Sequence, residues 1–395
     1  MTQPPVPHEI DAGSSILNLA ATLALRFGAA AGAPLLAGHA PLQSVLAATR
    51  SVVLVVFDGL GERQLSEHAG RGALADCRLG SLSSVFPSAT APAMTSLATA
   101  LPPAQHGTPG WLMWSEADGE IVRCLPMDVR GQPDRPVSAA SLWRWQPWSA
   151  ALRLPVVSLL PRAISESTYS RYAYSAGRRI GYEHTDDVPQ RIAELLGATI
   201  DGAYIFVYLP HFDAASHEFG WRSERAERTV LRFDRWFARL IDALRDCDAL
   251  VLATADHGFI DVPERQQLRL EALPEIAACL ARPLAGEPRV PFCQVLPRSH
   301  DVFAERVREA THGEFEAYRS EALLTAGWFG RPDQAVASSI AGRLGTHVLL
   351  PRGGATLIDQ VEGERPLSFI GMHGGPSADE MQVPLIAAYL GRALA

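Results

Sequence analysis

Six residues of this chain carry donor chemistry for cations, and a seventh carries a nucleophile's hydroxyl. Three aspartates each close an apolar run: Asp58 in SVVLVVFDG (51–59), Asp213 in YIFVYLPHFD (204–213) and Asp256 in ALVLATADHG (249–258). One such aspartate would read as a helix cap. Three carboxylates delivered to one edge repel each other unless cations sit between them. Histidines accompany them. His217 stands four residues after Asp213 in DAASH, one helical turn, so both side chains face one ion. His257 follows Asp256 directly. His373 precedes Gly374 and Gly375, as Asp58 precedes Gly59, and glycine leaves room for close approach. Carboxylate oxygen with imidazole nitrogen suits zinc, with manganese or iron as alternatives. His39 and His312 have no such context and read as ordinary surface or core residues. His211, two residues before Asp213, is a candidate outer partner of the donor set.

The candidate nucleophile is Thr90 in VFPSATAPAMTSLATAL (85–101). Pro92 suits the first position of a helix running to Leu101, before Pro102 and Pro103. Thr90 then sits just ahead of the helix N-terminus, where backbone N–H groups and the dipole favour an anion. A threonine hydroxyl attacks at neutral pH only when a base or metal activates it. Alone it would read as a capping hydroxyl.

The elements that must position these groups are apolar strands. Continuous Val, Leu and Ile runs bounded by Gly and Pro predict strands buried on both faces, as in a mostly parallel α/β sheet with helices on each side. Ligands of such sheets bind beyond the carboxyl ends of the strands. SILNLAATLALRFG (15–28) predicts a helix, as does 41–49. The clearest spans about 222–245, with Val230, Phe233, Phe237, Leu240 and Leu244 at helical spacing. Residues 1–12 predict a disordered tail, 13–262 and 341–395 an α/β core, and 263–340 an inserted α+β lobe. The chain is expected back in the main sheet at RLGTHVLLP (343–351) and SFIGMHGG (368–375).

Composition narrows the classes. All 35 basic residues are arginine; without lysine, Schiff-base chemistry and the lysine-dependent P-loop are excluded. A net charge of −8 argues against a nucleic-acid-coating surface. Five scattered cysteines form neither a disulfide framework nor a thiolate metal site, which points to a reducing compartment. Glu9 and Asp11 replace the basic start of a secretory signal, and Arg26, Gly28 and Pro34 interrupt the following Ala/Leu stretch. A cytoplasmic protein with no membrane association is expected.

The order of motifs (apolar strand to Asp-Gly, FPSAT with APxxTSLxT, DxxxH, ADHG and HGG) resembles the alkaline phosphatase superfamily, and within it the type I phosphodiesterase/nucleotide pyrophosphatase family. The resemblance covers most of 51–262 and 343–390. It implies an alkaline phosphatase-like fold and an enzyme with two divalent metal ions. One would be held by Asp213, His217 and His373, the other by Asp58, Asp256, His257 and the Thr90 oxygen. It also implies hydrolysis of phosphodiester or phosphate-anhydride bonds in a small phosphorylated substrate, through a covalent phospho-threonine. Two such ions bring +4 against three carboxylates, leaving positive excess for a phosphate.

Two positions depart from the family pattern. Ala91 stands where an aromatic usually stacks on a nucleobase. Trp111 follows HGTPG (106–110) where an asparagine usually meets phosphate. Both positions are therefore candidate pocket residues. A phosphonate C–P hydrolase or phosphomonoesterase on the same site is the alternative, and a catalytically weak metal-containing binding protein is a second. Five of the eight tryptophans, Trp111, Trp114, Trp143, Trp145 and Trp148, fall within 38 residues. They are either an aromatic wall over the site or a packed scaffold, as are Tyr169, Tyr172 and Tyr174.

Overall fold

The computed structural model describes residues 13–390, so the tail expected over 1–12 and the final residues 391–395 lie outside the described residues. Its main sheet has seven strands: β1 (Ser51–Phe57), β2 (Arg78–Ser83), β3 (Val156–Pro161), β4 (Arg178–Tyr182), β5 (Tyr204–Leu209), β6 (Ala249–Thr254) and β7 (Gln382–Tyr389). Their order is β2-β7-β6-β1-β5-β3-β4. Every pairing from β6 to β4 is parallel, and only β7 runs against its two neighbours. The fold is thus mixed α/β with a mostly parallel central sheet.

The three apolar runs form the centre of that sheet. All residues of β1, β5 and β6 are buried. Successive side chains alternate between faces, so complete burial requires cover on both sides. The register sets Val56 beside Tyr208 and Thr254, so the three strands finish level and their aspartates emerge along one edge.

Helices appear where the periodicity places them. Helix α1 (Ile16–Arg26) opens on a capping box between Ser15 and Asn18. Helix α2 (Thr90–Thr99) carries Thr90, and α3 (His211–Phe219) carries Asp213 and His217. Helix α4 (Glu224–Ala243) is capped by the Ser223 side chain and buries Val230, Phe233, Phe237 and Leu240. Two boundaries shift from expectation. Thr90 is itself the first residue of α2, and Ala100, in the left-handed conformation at φ 55°, ends that helix before Leu101.

The second sheet differs more from the sequence reading. Eight antiparallel strands run in the order Phe315–Arg319, His347–Pro351, Val290–Cys293, Ala285–Glu287, Leu112–Ser115, Glu120–Arg123, Asp128–Val129 and Gln132–Pro136. Residues 347–351 therefore do not rejoin the main sheet; an apolar HVLLP run suits either sheet equally. Gly371–Met372 pairs with Ile260–Asp261 in a separate two-stranded ribbon, and the chain re-enters the main sheet only at β7. Leu112 opposite Gly286 joins the 112–136 strands to those from 285 onward. Among the described residues no helix is long and apolar enough to cross a membrane.

Candidate functional site

Beyond the carboxyl ends of β1, β5 and β6 the structure gathers all six predicted donors around Thr90. His257 is the hub. Its Nε2 lies 3.4 Å from Asp58 Oδ1, 3.6 Å from Asp256 Oδ2 and 4.0 Å from Asp213 Oδ1. Thr90 Oγ1 is 3.2 Å from the same nitrogen. His373 Nε2 stands 3.7 Å from Asp213 Oδ1, and His217 Nε2 reaches that oxygen from one helical turn away at 3.4 Å. Two groups have donor atoms that all lie within 4.8 Å of one another: Asp58, Asp256 and His257, and Asp213, His257 and His373. His217 borders the second group through Asp213.

Backbone and buried side chains fix each donor. Gly59 has φ +76°, and a Cβ there would lie 2.4 Å from the Phe259 ring, so only glycine lets the chain turn between Asp58 and the following helix Glu62–Ala69. The Tyr208 hydroxyl donates to Asp58 Oδ2. Asp256 Oδ1 accepts from the Gly59 and His257 N–H groups at 3.0 and 3.1 Å. Each histidine turns Nδ1 to a backbone carbonyl: His217 to Gly371 at 2.8 Å, His257 to Gly258 at 3.0 Å and His373 to Ser88 at 3.3 Å. A neutral imidazole holding such a bond donates through Nδ1 and leaves the Nε2 lone pair facing the centre.

That arrangement sets lone pairs against carboxylates. Asp58 Oδ1, Asp213 Oδ1 and Asp256 Oδ2 are buried and accept no hydrogen bond. Burial, then the charges of Asp213 and Asp256, push the Asp58 carboxyl well above its ordinary range. Burial also raises Asp213, but His217 and His257 outweigh it and hold that carboxyl low. Burial and then the two other histidines keep His373 neutral, well below the usual imidazole value. Orphaned buried oxygens with imidazole Nε2 atoms 3.4–4.0 Å away are what a cation site requires, because a buried acceptor without a partner costs roughly 1–3 kcal/mol. The residues present fit divalent cations.

The remaining predicted residues are placed as follows. Ala91 is buried in the cluster that holds Met113, Val122, Trp143 and Tyr169. Trp111 lines a cavity of about 590 Å³ and donates its backbone N–H to Glu287 Oε1 at 2.7 Å. Trp143, Trp145 and Trp148 are buried scaffold; the Trp143 indole donates to Thr108 and the Trp148 indole to the Leu97 carbonyl. Trp114 lies under the Arg282 guanidinium at 4.1 Å. Tyr169 is buried against Trp143, Tyr172 packs on Trp145, and Tyr174 stacks on Phe206. His211 faces a separate surface cavity beside Arg232 and stays out of the donor cluster.

Four contributors had no motif to announce them. Tyr208 orients Asp58; its signal was a hydroxyl inside an otherwise apolar strand. Glu287, pushed up to about 8 by burial, backs Gly374 and holds Trp111. Phe369 lays its ring 4.4 Å from the His217 ring. The buried pair Arg289–Glu380 anchors the loop after His373, with Glu380 Oε1 accepting from Gly375 N–H at 2.8 Å.

The family model described as type I phosphodiesterase/nucleotide pyrophosphatase matches residues 52–376. Among curated proteins no sequence match was found. Among solved structures, murine ectonucleotide pyrophosphatase/phosphodiesterase 5, in an inactive form with AMP, aligns at a TM-score of 0.64 and 15% identity, over 86% of this chain and 88% of that one. The human counterpart gives 0.63 and 16%, over 85% and 87%. Phosphonoacetate hydrolase from Sinorhizobium meliloti, bound to phosphonoformate, gives 0.62 and 17%, over 88% and 92%. At these identities the likeness to solved structures is one of fold.

Proposed function

Because this chain belongs to the type I phosphodiesterase/nucleotide pyrophosphatase family of hydrolases, we propose that it cleaves phosphodiester or phosphate-anhydride bonds at a two-cation centre, with Thr90 as the nucleophile. One observation carries this reading. The Thr90 hydroxyl touches His257 Nε2 at 3.2 Å, and His257 belongs to both donor groups, whose aspartates keep three orphaned oxygens.

In this scheme Asp213, His217 and His373 hold one cation, and Asp58, Asp256, His257 and the Thr90 oxygen hold the other. Oxygen and imidazole donors favour zinc, with manganese or iron as alternatives. Bound cations would offset the charge of the carboxylates and of the substrate phosphate, and lower the pKa of the threonine hydroxyl and of water. The chain's own residues do the rest. Thr90 Oγ1 attacks phosphorus, the P–O bond to the leaving group breaks, and a phospho-threonine forms. Water then attacks the same phosphorus, and the bond to Oγ1 breaks to restore the hydroxyl. Helix α2 has no side-chain cap, so its first-turn N–H groups remain for a phosphate oxygen.

A second reading, hydrolysis of a phosphonate C–P bond, is favoured by one feature. Ala91 is buried and Trp111 replaces the usual asparagine, so the family's nucleotide contacts are missing while the donor cluster is complete. The five free cysteines support a reducing compartment such as the cytoplasm.

The test pairs metal content with turnover. Protein loaded with zinc or manganese is assayed on bis-p-nitrophenyl phosphate, p-nitrophenyl phosphate and phosphonoacetate. Thr90→Ala is expected to abolish hydrolysis while metal stays near two per chain. Full activity in Thr90→Ala, or in metal-stripped protein, overturns the scheme.

A further inference from the structure

The cavity of about 590 Å³ beside the donor cluster is larger than a phosphate needs and falls in the range of small-molecule sites. It shares a wall with the cluster. Phe369, on that wall, lies 4.4 Å from the His217 ring. Glu287, also on it, stands against Gly374: a Cβ on that glycine would come within 3.0 Å of the Glu287 Cβ. Trp111 is tied to the same carboxylate through its backbone. The cavity thus adjoins the cluster on the side of His217 and Gly374, and two aromatic side chains from distant parts of the chain bound it.

Both rings are available. Phe369 is 37% exposed, and Trp111 makes no ring contact among the described residues. Trp111 is half-buried, and aromatic rings lining a cavity are a common means of holding a flat organic group.

The charges of the lining are equally specific. Arg123 is spent on Asp128, with both oxygens engaged at 2.6 Å. Arg130 is buried and pairs with Glu364 at 2.9 Å and Asp359 at 3.4 Å. Arg365 also lines the cavity, and it is exposed with no carboxylate partner among the described residues. Asp359 and Glu364 are thus paired with Arg130, Glu287 accepts from the Trp111 N–H, and the Arg365 guanidinium remains.

We propose that this cavity receives the organic part of the substrate, and that the group it fits is an aryl ring bearing an anionic substituent, lodged between Trp111 and Phe369 with its anion on Arg365. This rests on the hydrolase reading only for which end of the ligand faces Thr90. Binding of the ligand can be measured without turnover. An unsubstituted ring would use the two aromatics alone; a cationic substituent would meet Arg365 unfavourably.

The test is calorimetric titration of the metal-loaded, full-length Thr90→Ala protein with phenyl phosphate and with 4-carboxyphenyl phosphate. The carboxylated ligand is expected to bind about tenfold more tightly, the size of one charge-assisted hydrogen bond. In the Thr90→Ala/Arg365→Gln protein that ratio is expected to fall close to one; Arg365 is exposed, so the substitution leaves the fold intact. Phe369→Ala is expected to weaken both ligands together. Equal affinities for the two ligands, a ratio unchanged by Arg365→Gln, or binding of neither ligand overturns the proposal. Failure of the hydrolase reading is seen separately, as absence of turnover by the wild-type protein.

Discussion

Removing the Glu380 carboxylate tests how the His373 loop is held. Glu380 and Arg289 have side-chain exposures of 0% and 1%. The guanidinium meets the carboxylate through two parallel bonds, Nε to Oε1 at 2.9 Å and Nη2 to Oε2 at 2.8 Å. Glu380 also accepts from the Gly375 N–H at 2.8 Å and from the Ser377 hydroxyl at 2.6 Å. In Glu380→Ala the Arg289 guanidinium keeps only the Gly353 and Ala355 carbonyls and loses its counter-charge. Breaking a buried pair on one side costs about 3–5 kcal/mol, and the stranded Gly375 N–H adds roughly 1 kcal/mol. Replacing both members by apolar residues, Arg289→Met with Glu380→Leu, is expected to cost much less, because no charge is left buried alone. Urea unfolding at pH 7 compares the three proteins. The pH dependence has a definite sign. Burial pushes Glu380 up, but Arg289 and the hydrogen bonds outweigh it, and the carboxyl sits below its ordinary value. Its contribution is therefore complete above the unfolded carboxyl pKa of about 4.3 and is lost as pH falls through the lower folded value. The gap between wild type and Glu380→Ala should narrow on acidification below that point. A loss under about 1 kcal/mol at pH 7, or a double variant as weak as the single one, refutes this reasoning.

Two further outcomes follow from the donor cluster. Tyr208→Phe removes the hydroxyl that donates to Asp58 Oδ2, and competition with a chelator should show metal affinity lowered by about 10–100-fold, as for other outer partners of metal ligands. Stripping the protein of metal leaves Asp58, Asp213 and Asp256 crowded around His257, so its thermal unfolding should fall. Metal at about a thousand times its dissociation constant should restore about 4 kcal/mol, and an unfolding temperature indifferent to metal would contradict the cluster's role.

Much of the site was legible because its signals are local. Asp58, Asp213 and Asp256 close apolar runs, and strands buried on both faces announce themselves by continuous Val, Leu and Ile. The four-residue spacing of Asp213 and His217 is a helical turn, which α3 supplies. What escaped depends on pairings between distant segments. Nothing near Leu112 signals its partner Gly286, so the eight-stranded sheet was divided between two regions of the sequence. HVLLP at 347–351 has the same apolar pattern whichever sheet receives it. Tyr208, Glu287 and Phe369 act through contacts with Asp58, Trp111 and His217, and no spacing along the chain encodes those. Ala91 was read from its neighbour Thr90, yet the first turn of α2 points the two side chains apart, one to the cluster and one to the core.

The central claim is that Thr90 becomes covalently attached to phosphorus during turnover. Its most direct measurement is rapid acid quench of metal-loaded protein turning over bis-p-nitrophenyl phosphate, followed by peptide mass spectrometry. The account predicts the substrate's phosphoryl fragment on the peptide containing Thr90, and none on that peptide in Thr90→Ala. Steady hydrolysis with Thr90 unmodified at every quench time, and undiminished in Thr90→Ala, would contradict it.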